Sequence, residues 1–455
     1  MPRFPLPPVP SPLIDVELSG SPRRGVPTAV VDTGKAGDVR DADGEFRWLV
    51  GVGEGSAKDW RTAGAALVRA ARADGEKPAR DVQVQLAPDA RVPEFVLGAL
   101  LGGYQFKVSA DTRPGLRTLR LITASADQDA VARVRELAAA TALARDLANT
   151  PSNIKNPAWL AETAERVVTG APGVRATIRD EAWLAEQGFG GVLAVGGGSA
   201  SPPRLIELTY RPRGAAKHLL FVGKGITFDT GGLSIKPAEG MHLMRTDMAG
   251  GAAVIAALRA IATLRLDVRV TALVPAAENH VSGGSYRPGD VVRHYGGKTT
   301  EVGNTDAEGR MVLADALVYG IRRFRPDAVV DVATLTGAMK VALGVRTGGL
   351  FATDDELAKR LAEAGERTGE AFWRMPLLEA HAEAVRGELG DVKQAPGGPG
   401  GITAALFLRE FVDGVPWAHL DIAGPARADK TYAEVVPGAT GFAARTLVEL
   451  AASYA

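Results

Sequence analysis

Residues 219–237 read LLFVGKGITFDTGGLSIKP, in which a short apolar run changes into a turn rich in glycine. The run at 219–222 is typical of a parallel strand that is buried on both faces of a sheet. In sheets of that kind, functional side chains collect in the loops beyond the carboxyl ends of the strands. We therefore expect Lys224, Asp229 and Lys236, which follow this strand, to lie at a functional edge of the sheet.

The residues around this stretch repeat the same rhythm of strand and helix. The pattern predicts short apolar strands, each buried in one sheet, with helices that cross between them. The predicted strands are 205–210, 219–222, 268–274, 328–332 and 418–422, and the predicted helices are 249–262 and 311–323. This alternation indicates an α/β fold with a mostly parallel sheet.

The first third of the chain shows a similar but weaker pattern. The predicted strands there are 46–52, 82–86 and 116–123, and the predicted helices are 60–73 and 127–147. A chain of 455 residues is long for a single core, which favours two domains. We predict an extended proline-rich arm at 1–12, a smaller N-terminal α/β domain at 13–147 that ends in a linker helix, and a second domain at 148–455 that carries the function.

Composition excludes several classes of function. Lysine and arginine total 53, as do aspartate and glutamate, so no net charge attracts nucleic acid or an anionic membrane. The chain has no cysteine, which excludes thiolate catalysis, disulfides and cysteine-bound zinc. It shows neither a signal peptide nor an apolar run of about 18 residues, and a cytoplasmic enzyme without a membrane partner is the expectation.

Acidic and basic residues concentrate in three segments, 223–237, 244–251 and 304–310. Singly, Asp247 also fits a helix N-cap, and Asp306 and Glu308 also fit acids that complement a helix dipole. Together with Asp229 they place four carboxylates at one sheet edge, which is costly unless cations neutralise them. The pattern favours divalent metal ions, with Lys236 and Arg310 beside the acids as candidates for substrate contact.

Other catalytic signatures are incomplete or missing. The stretch GKT at 297–299 lacks the first glycine of a P-loop, and the turn at 51–56 lacks the last glycine of a dinucleotide fingerprint. No Gly-x-Ser-x-Gly or His-Glu-x-x-His motif occurs. His280 and His419 lie near predicted strand ends, where we interpret them as structural residues and not as metal ligands.

At these segments the sequence resembles the cytosolic leucine aminopeptidase (leucyl aminopeptidase) family of two-metal peptidases. The segment NTDAEGR at 304–310 matches the family signature at every position, and the loop at 224–236 matches equally well. The resemblance extends through 145–455 and is one of general layout before that. It implies a macro-like N-terminal domain, a catalytic metallopeptidase domain at 148–455, and a hexamer.

The resemblance also implies the role of each site residue. One metal ion would be held by Lys224, Asp229, Asp247 and Glu308, and the second by Asp229, Asp306 and Glu308. Lys236 would polarise the scissile carbonyl, and Arg310 would hold a bicarbonate that acts as general base. Met244 would line the side-chain pocket, while Thr334, Leu335 and Gly337 would bind the substrate backbone.

The implied reaction is hydrolysis of the N-terminal residue, preferably leucine-like, from peptides by a water that two zinc or manganese ions activate. His280, Lys340 and the glycine- and proline-rich loop at 395–401 depart from the family pattern and leave the substrate preference open.

An alternative function is a DNA-binding architectural protein on the same fold. It would use a local patch of Arg211, Arg213, Lys217 and His218, although the neutral net charge disfavours nucleic acid as a partner. An inactive scaffold is a third alternative, which the presence of all seven metal and catalytic residues disfavours.

Overall fold

The computed structural model describes residues 7–42, 44–73, 79–108, 115–123 and 127–455. The chain forms two compact units. The first consists of Met1–Ala142 and Ala428–Gly438, and the second consists of Leu143–Arg427 and Ala439–Ala455. The division between the units falls inside the helix Gln128–Asn149. Residues 1–6 of the predicted arm lie outside the described residues, and the predicted division into 1–12, 13–147 and 148–455 stays a prediction.

The first unit is built on a six-stranded sheet. Its strands are β1 (Asp15–Ser19), β2 (Thr28–Asp32), β3 (Val39–Asp41), β4 (Trp48–Gly51), β5 (Asp81–Gln85) and β6 (Thr118–Ile122), and its helices are α1 (Ala57–Ala73), α2 (Val92–Gly102) and the start of α3 (Gln128–Asn149). The strand order is β1-β6-β5-β2-β4-β3, and only the β3–β4 pair among these is antiparallel. Trp60, Leu67 and Phe95 of the helices pack into the core against Val82 and Val84 of β5.

The second unit contains a nine-stranded sheet among its described residues. Its strands are β7 (Val174–Arg179), β8 (Arg204–Tyr210), β9 (His218–Gly223), β10 (Gly225–Asp229), β11 (Arg269–Asn279), β14 (Ala328–Ala333), β15 (Thr347–Ala352), β16 (Ala371–Arg374) and β18 (Trp417–Asp421). The order is β16-β15-β18-β14-β9-β11-β8-β7, with β10 paired to β11. Short strands outside it are β12 (Val291–Arg293), β13 (Thr299–Glu301), β17 (Val392–Lys393), β19 (Arg427–Ala428) and β20 (Gly438–Ala439).

The helices of the second unit follow its strands along the chain. They are α4 (Pro157–Val168), α5 (Glu181–Gln187), α6 (Gly190–Gly196), α7 (Ala238–Met241), α8 (Ala249–Thr263), α9 (Glu308–Phe324), α10 (Gly337–Leu343), α11 (Asp355–Thr368), α12 (Gly400–Arg409) and α13 (Ala444–Ala452), with 3₁₀ turns at His242–Thr246, Glu379–His381 and Glu383–Val385. No helix in the described part of the chain is both long and apolar enough to cross a membrane.

Four parallel strands, β11, β9, β14 and β18, form the middle of the large sheet. Strands β9 and β14 are buried along their whole length, as their apolar sequences predict. Antiparallel pairs lie to either side, β7–β8–β11 on one and β15–β18 on the other. The carboxyl ends of the parallel strands therefore lie along one edge, and the candidate site residues follow those ends.

Candidate metal centre

The site residues come from four neighbouring elements of the second unit. Lys224 directly follows β9, and Asp229 is the last residue of β10. Asp247 follows the 3₁₀ turn His242–Thr246 and precedes α8, while Glu308 is the first residue of α9. The sequence predicted this convergence at one sheet edge, and the structure brings these side chains together.

Lys224, Asp247 and Glu308 form what we call the buried half of the cluster. The Lys224 ammonium lies 2.8 Å from Asp247 Oδ2 and 2.7 Å from Glu308 Oε1, and all three side chains are at most 7% exposed. It also donates to the carbonyl oxygen of Thr334 at 3.0 Å. A side chain at Gly309 would place its Cβ 2.9 Å from Lys224 Nζ, so only glycine leaves room for this lysine.

Lys236, Asp229 and Asp306 form the open half. The Lys236 ammonium lies 2.7 Å from Asp229 Oδ2 and also pairs with Asp306. The side chain of Lys236 is 20% exposed and that of Asp306 is 33% exposed. Gly231, in the turn between Asp229 and Lys236, has φ +85°. A Cβ at this position would lie 2.8 Å from Asp306 Oδ1. This half of the cluster is therefore open to solvent, unlike the first.

Burial makes the negative charge of the carboxylates unfavourable. It raises the pKa of Glu308 to about 8, and Asp229 adds repulsion while Lys224 opposes the shift. Burial is also the main reason why the pKa values of Asp247 and Asp306 are raised. The cluster thus holds more negative charge than its surroundings can stabilise, as expected where cations are to bind.

Burial acts in the opposite direction on the two lysines, because it disfavours their positive charge. Burial by itself would lower the pKa of Lys224, but attraction by Asp247, Glu308 and Asp229 outweighs it and raises the pKa. The pKa of Lys236 is raised against burial in the same way, chiefly by Asp229. Both ammonium groups therefore keep their protons near neutral pH while they are the only cations in the cluster.

The donor set fits divalent metal ions. Asp229, Asp306 and Glu308 each offer an oxygen within 4.8 Å of the others. Asp247 Oδ2, Asp306 Oδ1 and Glu308 Oε1 are buried, and each is paired with the ammonium group of Lys224 or Lys236. Carboxylate oxygens are the usual ligands of hard divalent cations, and four carboxylates that two lysines only partly neutralise favour such ions.

Three supporting residues were not predicted from the sequence. Asn279 Nδ2 donates to Asp229 Oδ1 at 2.8 Å and to the carbonyl oxygen of Thr305 at 3.0 Å. The Tyr286 hydroxyl donates to the same carbonyl at 2.8 Å. Gln394 Oε1 accepts from the backbone nitrogens of residues 303 and 304, both at 3.1 Å. They orient the ligand-bearing loops, and because they come from a strand end and from distant loops no local motif marks them.

Thr305 joins the two loops of the open half. Its hydroxyl donates to the carbonyl oxygen of Gly231 at 2.6 Å and accepts from the backbone nitrogen of Ser234 at 2.8 Å. The loop that carries Lys236 and the loop that carries Asp306 are therefore fixed to each other by one side chain.

Arg310 lies two residues into α9 and is 7% exposed. Its NH1 group donates to the carbonyl oxygen of Gln394, and its guanidinium carbon lies 6.0 Å from the centre of the Phe407 ring. Its Nε is buried without a hydrogen-bond partner. Burial lowers the pKa of Arg310 to about 10, although Glu308 and Asp421 act against this shift.

The predicted substrate residues lie around the buried half. Met244 is partly buried in the 3₁₀ turn that leads to Asp247, and the Thr334 hydroxyl donates to Asp247 Oδ1 at 2.7 Å. Gly337 is the first residue of α10, and no atom lies within 4 Å of the position of a Cβ there. Leu335 donates its backbone N–H to Asp421 Oδ1 at 3.3 Å.

Asp421, at the end of β18, was not predicted as a site residue. Besides Leu335 it accepts a hydrogen bond from the Thr336 hydroxyl, at 2.7 Å. It therefore holds the backbone of segment 334–337 beside the cluster. An acid at a strand end is by itself a weak indication of a functional site. The strand order of the sheet was needed to identify Asp421.

His280 and His419 lie outside the cluster. His280 is exposed and accepts a hydrogen bond from the backbone of Val281. His419 is fully buried in β18 and pairs with Asp331, whose other oxygen accepts from Trp417 Nε1 at 2.7 Å. Lys340 is exposed on α10, and the loop predicted at 395–401 ends in the first residues of α12.

The basic patch considered for DNA is smaller than its sequence indicated. His218 is 5% exposed, and burial followed by Arg269 and Arg211 lowers its pKa to about 4. Lys217 lies 3.3 Å from the carboxylate of Asp327. Arg211, Arg213 and Lys217 of the predicted patch are exposed, and the charge of Lys217 is offset by Asp327.

Comparisons with known proteins agree with the geometry. The profile described as "Cytosol aminopeptidase family, catalytic domain" matches residues 142–448. A probable cytosol aminopeptidase of Roseiflexus castenholzii is 46% identical over 419 residues, which cover 88% of this chain and 86% of the relative. One of Geobacter sulfurreducens is 44% identical over 418 residues, with 88% and 84% covered.

Solved structures are also similar to this chain. The bottromycin maturation enzyme BotP in complex with Mn is 43% identical and superposes with a TM-score of 0.86, over 94% of this chain and 98% of that one. A mutant of tomato leucine aminopeptidase is 31% identical with a TM-score of 0.87, over 97% of both chains. They confirm the predicted α/β class with its smaller N-terminal and mostly parallel C-terminal parts, while the macro-like assignment stays a prediction.

Both the profile match and the relatives cover most of the chain, and none of the comparisons favours the DNA-binding alternative. Enzymes of this family bind two divalent metal ions and act on peptides, in agreement with the cluster of converging carboxylates. The chain therefore belongs to the cytosol aminopeptidase family and is a metal-dependent aminopeptidase, a hydrolase of peptides.

Proposed function

We propose that this aminopeptidase releases leucine-like first residues from peptides with the cluster described above. The observation that carries the assignment is the convergence of Asp229, Asp306 and Glu308, whose carboxylate oxygens lie within 4.8 Å of one another. The proposed ligands of one ion are Lys224, Asp229, Asp247 and Glu308, and those of the second are Asp229, Asp306 and Glu308. Asp229 and Glu308 would thus touch both ions.

The proposed ions are zinc or manganese. When bound, a pair of such ions supplies an acidified water and a Lewis acid for the scissile carbonyl. Lys224 offers an amine nitrogen among oxygen donors, which suits these metals better than magnesium or calcium. The Lys224 amine must give up its proton to serve as a ligand.

Lys236 has a different proposed role. Its ammonium is on the open half, is partly exposed, and has a raised pKa that keeps its charge. A fixed positive charge at this place stabilises negative charge that develops on the carbonyl oxygen of the scissile bond. We assign Lys236 to that oxygen and not to a metal ion.

Arg310 is proposed to hold a small anion, with bicarbonate as the family expectation. Its buried Nε lacks a hydrogen-bond partner, and the side chain lies in the first turn of α9 directly after the ligand Glu308. A buried guanidinium with a free N–H group is a strong donor to a planar oxyanion.

Substrate would lie over the cluster, between the open half and the segments that carry Met244 and Thr334. Met244 is proposed to contact the first side chain, and Thr334, Leu335 and Gly337 the peptide backbone. Asp421 supports this choice, because it fixes the segment 334–337 next to Asp247. From the resemblance alone we further propose a homo-hexamer in the cytoplasm.

Leucine-p-nitroanilide hydrolysis by metal-stripped protein tests the assignment. We expect no activity without metal and recovery with Mn²⁺ or Zn²⁺. Asp306→Asn should prevent that recovery, because it removes an anionic ligand while it keeps the shape of the side chain. Asp355→Asn is the matched control, since Asp355 is 90% exposed and pairs with Arg374 on the surface.

Activity of the Asp306→Asn variant equal to that of the Asp355→Asn control would overturn the ligand assignment. Faster hydrolysis of alanine- or lysine-p-nitroanilide than of the leucine compound would overturn the proposed preference and leave the assignment of the ligands intact.

A further inference from the structure

The turn between α3 and α4 underlies the metal centre. Residues 150–156 read TPSNIKN, and the backbone nitrogens of Ile154 and Lys155 both donate to the carbonyl oxygen of Pro151, at 3.0 and 2.9 Å. Asn156 Oδ1 accepts from the backbone nitrogen of Trp159 at 2.8 Å and so caps α4. The turn is thereby fixed at both ends, and the functions assigned above do not involve it.

Ser152 connects this turn to the strand that carries Asp229. Its hydroxyl donates to the carbonyl oxygen of Thr227 at 2.7 Å. Thr227 is fully buried in β10, two residues before Asp229 at the end of the same strand. The hydrogen bond therefore fixes the position of the strand just before it delivers its carboxylate.

Lys155 connects the same turn to the segment that carries Asp247. It is fully buried, and its ammonium donates to the carbonyl oxygen of Ala148 at 3.0 Å and to that of Arg245 at 2.6 Å. Ala148 lies in the last turn of α3, and Arg245 lies near the end of the 3₁₀ turn His242–Thr246. Carbonyl oxygens at helix ends are favourable partners for a cation.

A buried lysine is costly, which makes its placement informative. Burial, followed by repulsion from Arg245, lowers the pKa of Lys155 well below its usual value. The site therefore depends on its two carbonyl partners. One of them lies next to Met244 and two residues before Asp247, so the hydrogen bond fixes a pocket residue and a proposed ligand together.

We propose that the turn 150–156 positions both sides of the metal centre, with Ser152 acting on Asp229 and Lys155 acting on Asp247 and Met244. Neither side chain touches substrate or the reacting atoms, so both are positioning residues. The inference rests on the proposed ligand roles of Asp229 and Asp247.

The two positioning residues should have different effects. Asp247 is assigned to one ion, so Lys155→Met should weaken one of two Mn²⁺ binding steps by about tenfold, at the low end for groups that orient ligands. Asp229 is assigned to both ions, so Ser152→Ala should weaken both steps, each by about threefold to tenfold. Lys155→Met should also change the ratio of kcat/KM for leucine- and methionine-p-nitroanilide, because Met244 moves with it.

Calorimetric titration of the metal-stripped, full-length protein with Mn²⁺ measures the dissociation constants of both binding steps. Lys298→Met is the matched control, because Lys298 donates to the backbone carbonyl of Glu410 at 2.6 Å away from the cluster. A purely structural role would lower the midpoint of thermal unfolding and leave both Mn²⁺ dissociation constants of the folded protein unchanged. Dissociation constants of Lys155→Met and Ser152→Ala equal to those of Lys298→Met would overturn the proposal.

If Lys155→Met does not fold, Lys155→Gln keeps two N–H donors on a shorter side chain and should show dissociation constants between wild type and the predicted tenfold loss. Wild-type binding in Lys155→Gln together with an unchanged leucine-to-methionine ratio counts against the proposal.

Asp229→Asn and Asp247→Asn separate this inference from the assignment it rests on. If neither variant changes Mn²⁺ binding, the proposed ligand roles fail. If both weaken binding while Lys155→Met and Ser152→Ala do not, the ligand roles stand and only the positioning role of the turn is overturned.

Discussion

The buried and open halves of the cluster contain the same charges but differ in exposure. Each half has one lysine between two carboxylates at about hydrogen-bonding distance. The Lys224 side chain is 4% exposed, whereas that of Lys236 is 20% exposed. The Lys236 ammonium group is therefore reachable from solvent, and that of Lys224 is enclosed by its ion-pair partners.

This difference assigns different chemistry to two similar lysines. A fully enclosed lysine can act on a reaction only through the groups that surround it, which suits a metal ligand. A partly exposed lysine that keeps its charge can stabilise charge on a bound substrate. The buried half should therefore control metal affinity, and the open half should control the rate of the chemical step.

Lys236→Met gives the largest expected effect. The variant removes the positive charge of the open half, and we expect kcat for leucine-p-nitroanilide to fall about 10²- to 10³-fold, as for other groups that stabilise developing negative charge. The dissociation constants for Mn²⁺ should stay at wild-type values or decrease, because a competing cation is lost. Steady-state kinetics and calorimetry measure the two quantities.

Lys393→Met is the control for this variant. Lys393 also pairs with a carboxylate, that of Glu388, but on the surface and outside the cluster. If Lys236→Met instead weakens Mn²⁺ binding and keeps kcat, the roles of the two halves are reversed.

Asp247→Asn changes the buried half. The amide has the same shape but no negative charge, so we expect the dissociation constant of one Mn²⁺ step to rise about 100-fold, since even groups behind a ligand contribute 10- to 100-fold. Saturating Mn²⁺ should restore a large part of kcat. Full loss of kcat at saturating metal, with unchanged Mn²⁺ binding, would place Asp247 in the chemical step and not among the ligands.

The pH dependence of metal binding also separates the halves. In the metal-free protein the pKa of Glu308 is about 8 and that of Lys224 is raised, so both carry a proton at pH 7. The ions bind the deprotonated groups, so Mn²⁺ affinity should increase with pH between 7 and 8, by about tenfold for the proton of Lys224 and by about fivefold for that of Glu308, whose pKa lies at the end of this interval.

Calorimetry in buffers of different ionisation enthalpy counts those protons. Lys224→Met should release about one proton fewer than wild type, because the lysine that loses its proton is gone. Lys236→Met should release the wild-type number. A loss of proton release in Lys236→Met alone would contradict the assignment of Lys224 as the ligand.

The sequence predicted the parallel core of the large sheet because its strands are short and apolar. It missed β10, whose residues 225–229 contain few apolar side chains and form a strand only through pairing with β11. It also ended the strand at 268–274, because proline at 275 normally stops a strand. In the structure the strand continues through Pro275, which pairs in register with Leu205 of β8 and lies where the partner on the other side of β11 changes from β9 to β10.

The site residues also fall into two groups, those that a local motif marks in the sequence and those that reach the site from distant parts of the chain. The candidate ligands lie in three compact segments, and their motifs could be recognised in the sequence. Asn279, Gln394 and Asp421 fix those segments from the ends of other strands and from a distant loop. Their contacts depend on strand order and loop path, which the sequence pattern alone does not specify.

Thr334→Val gives the smallest expected effect. The Thr334 hydroxyl donates to Asp247 Oδ1 at 2.7 Å, and valine keeps its shape without the donor. Lys224 still donates to the same oxygen at 2.9 Å, so we expect one Mn²⁺ step to weaken by only about fivefold, below the usual range for groups that orient a ligand. Thr353→Val is the matched control, since that hydroxyl donates to the carbonyl oxygen of Trp417 at 3.3 Å. Calorimetry that shows both Mn²⁺ steps weakened equally by Thr334→Val would mean that Asp247 contacts both ions, and the buried half would then not be a separate unit of the site.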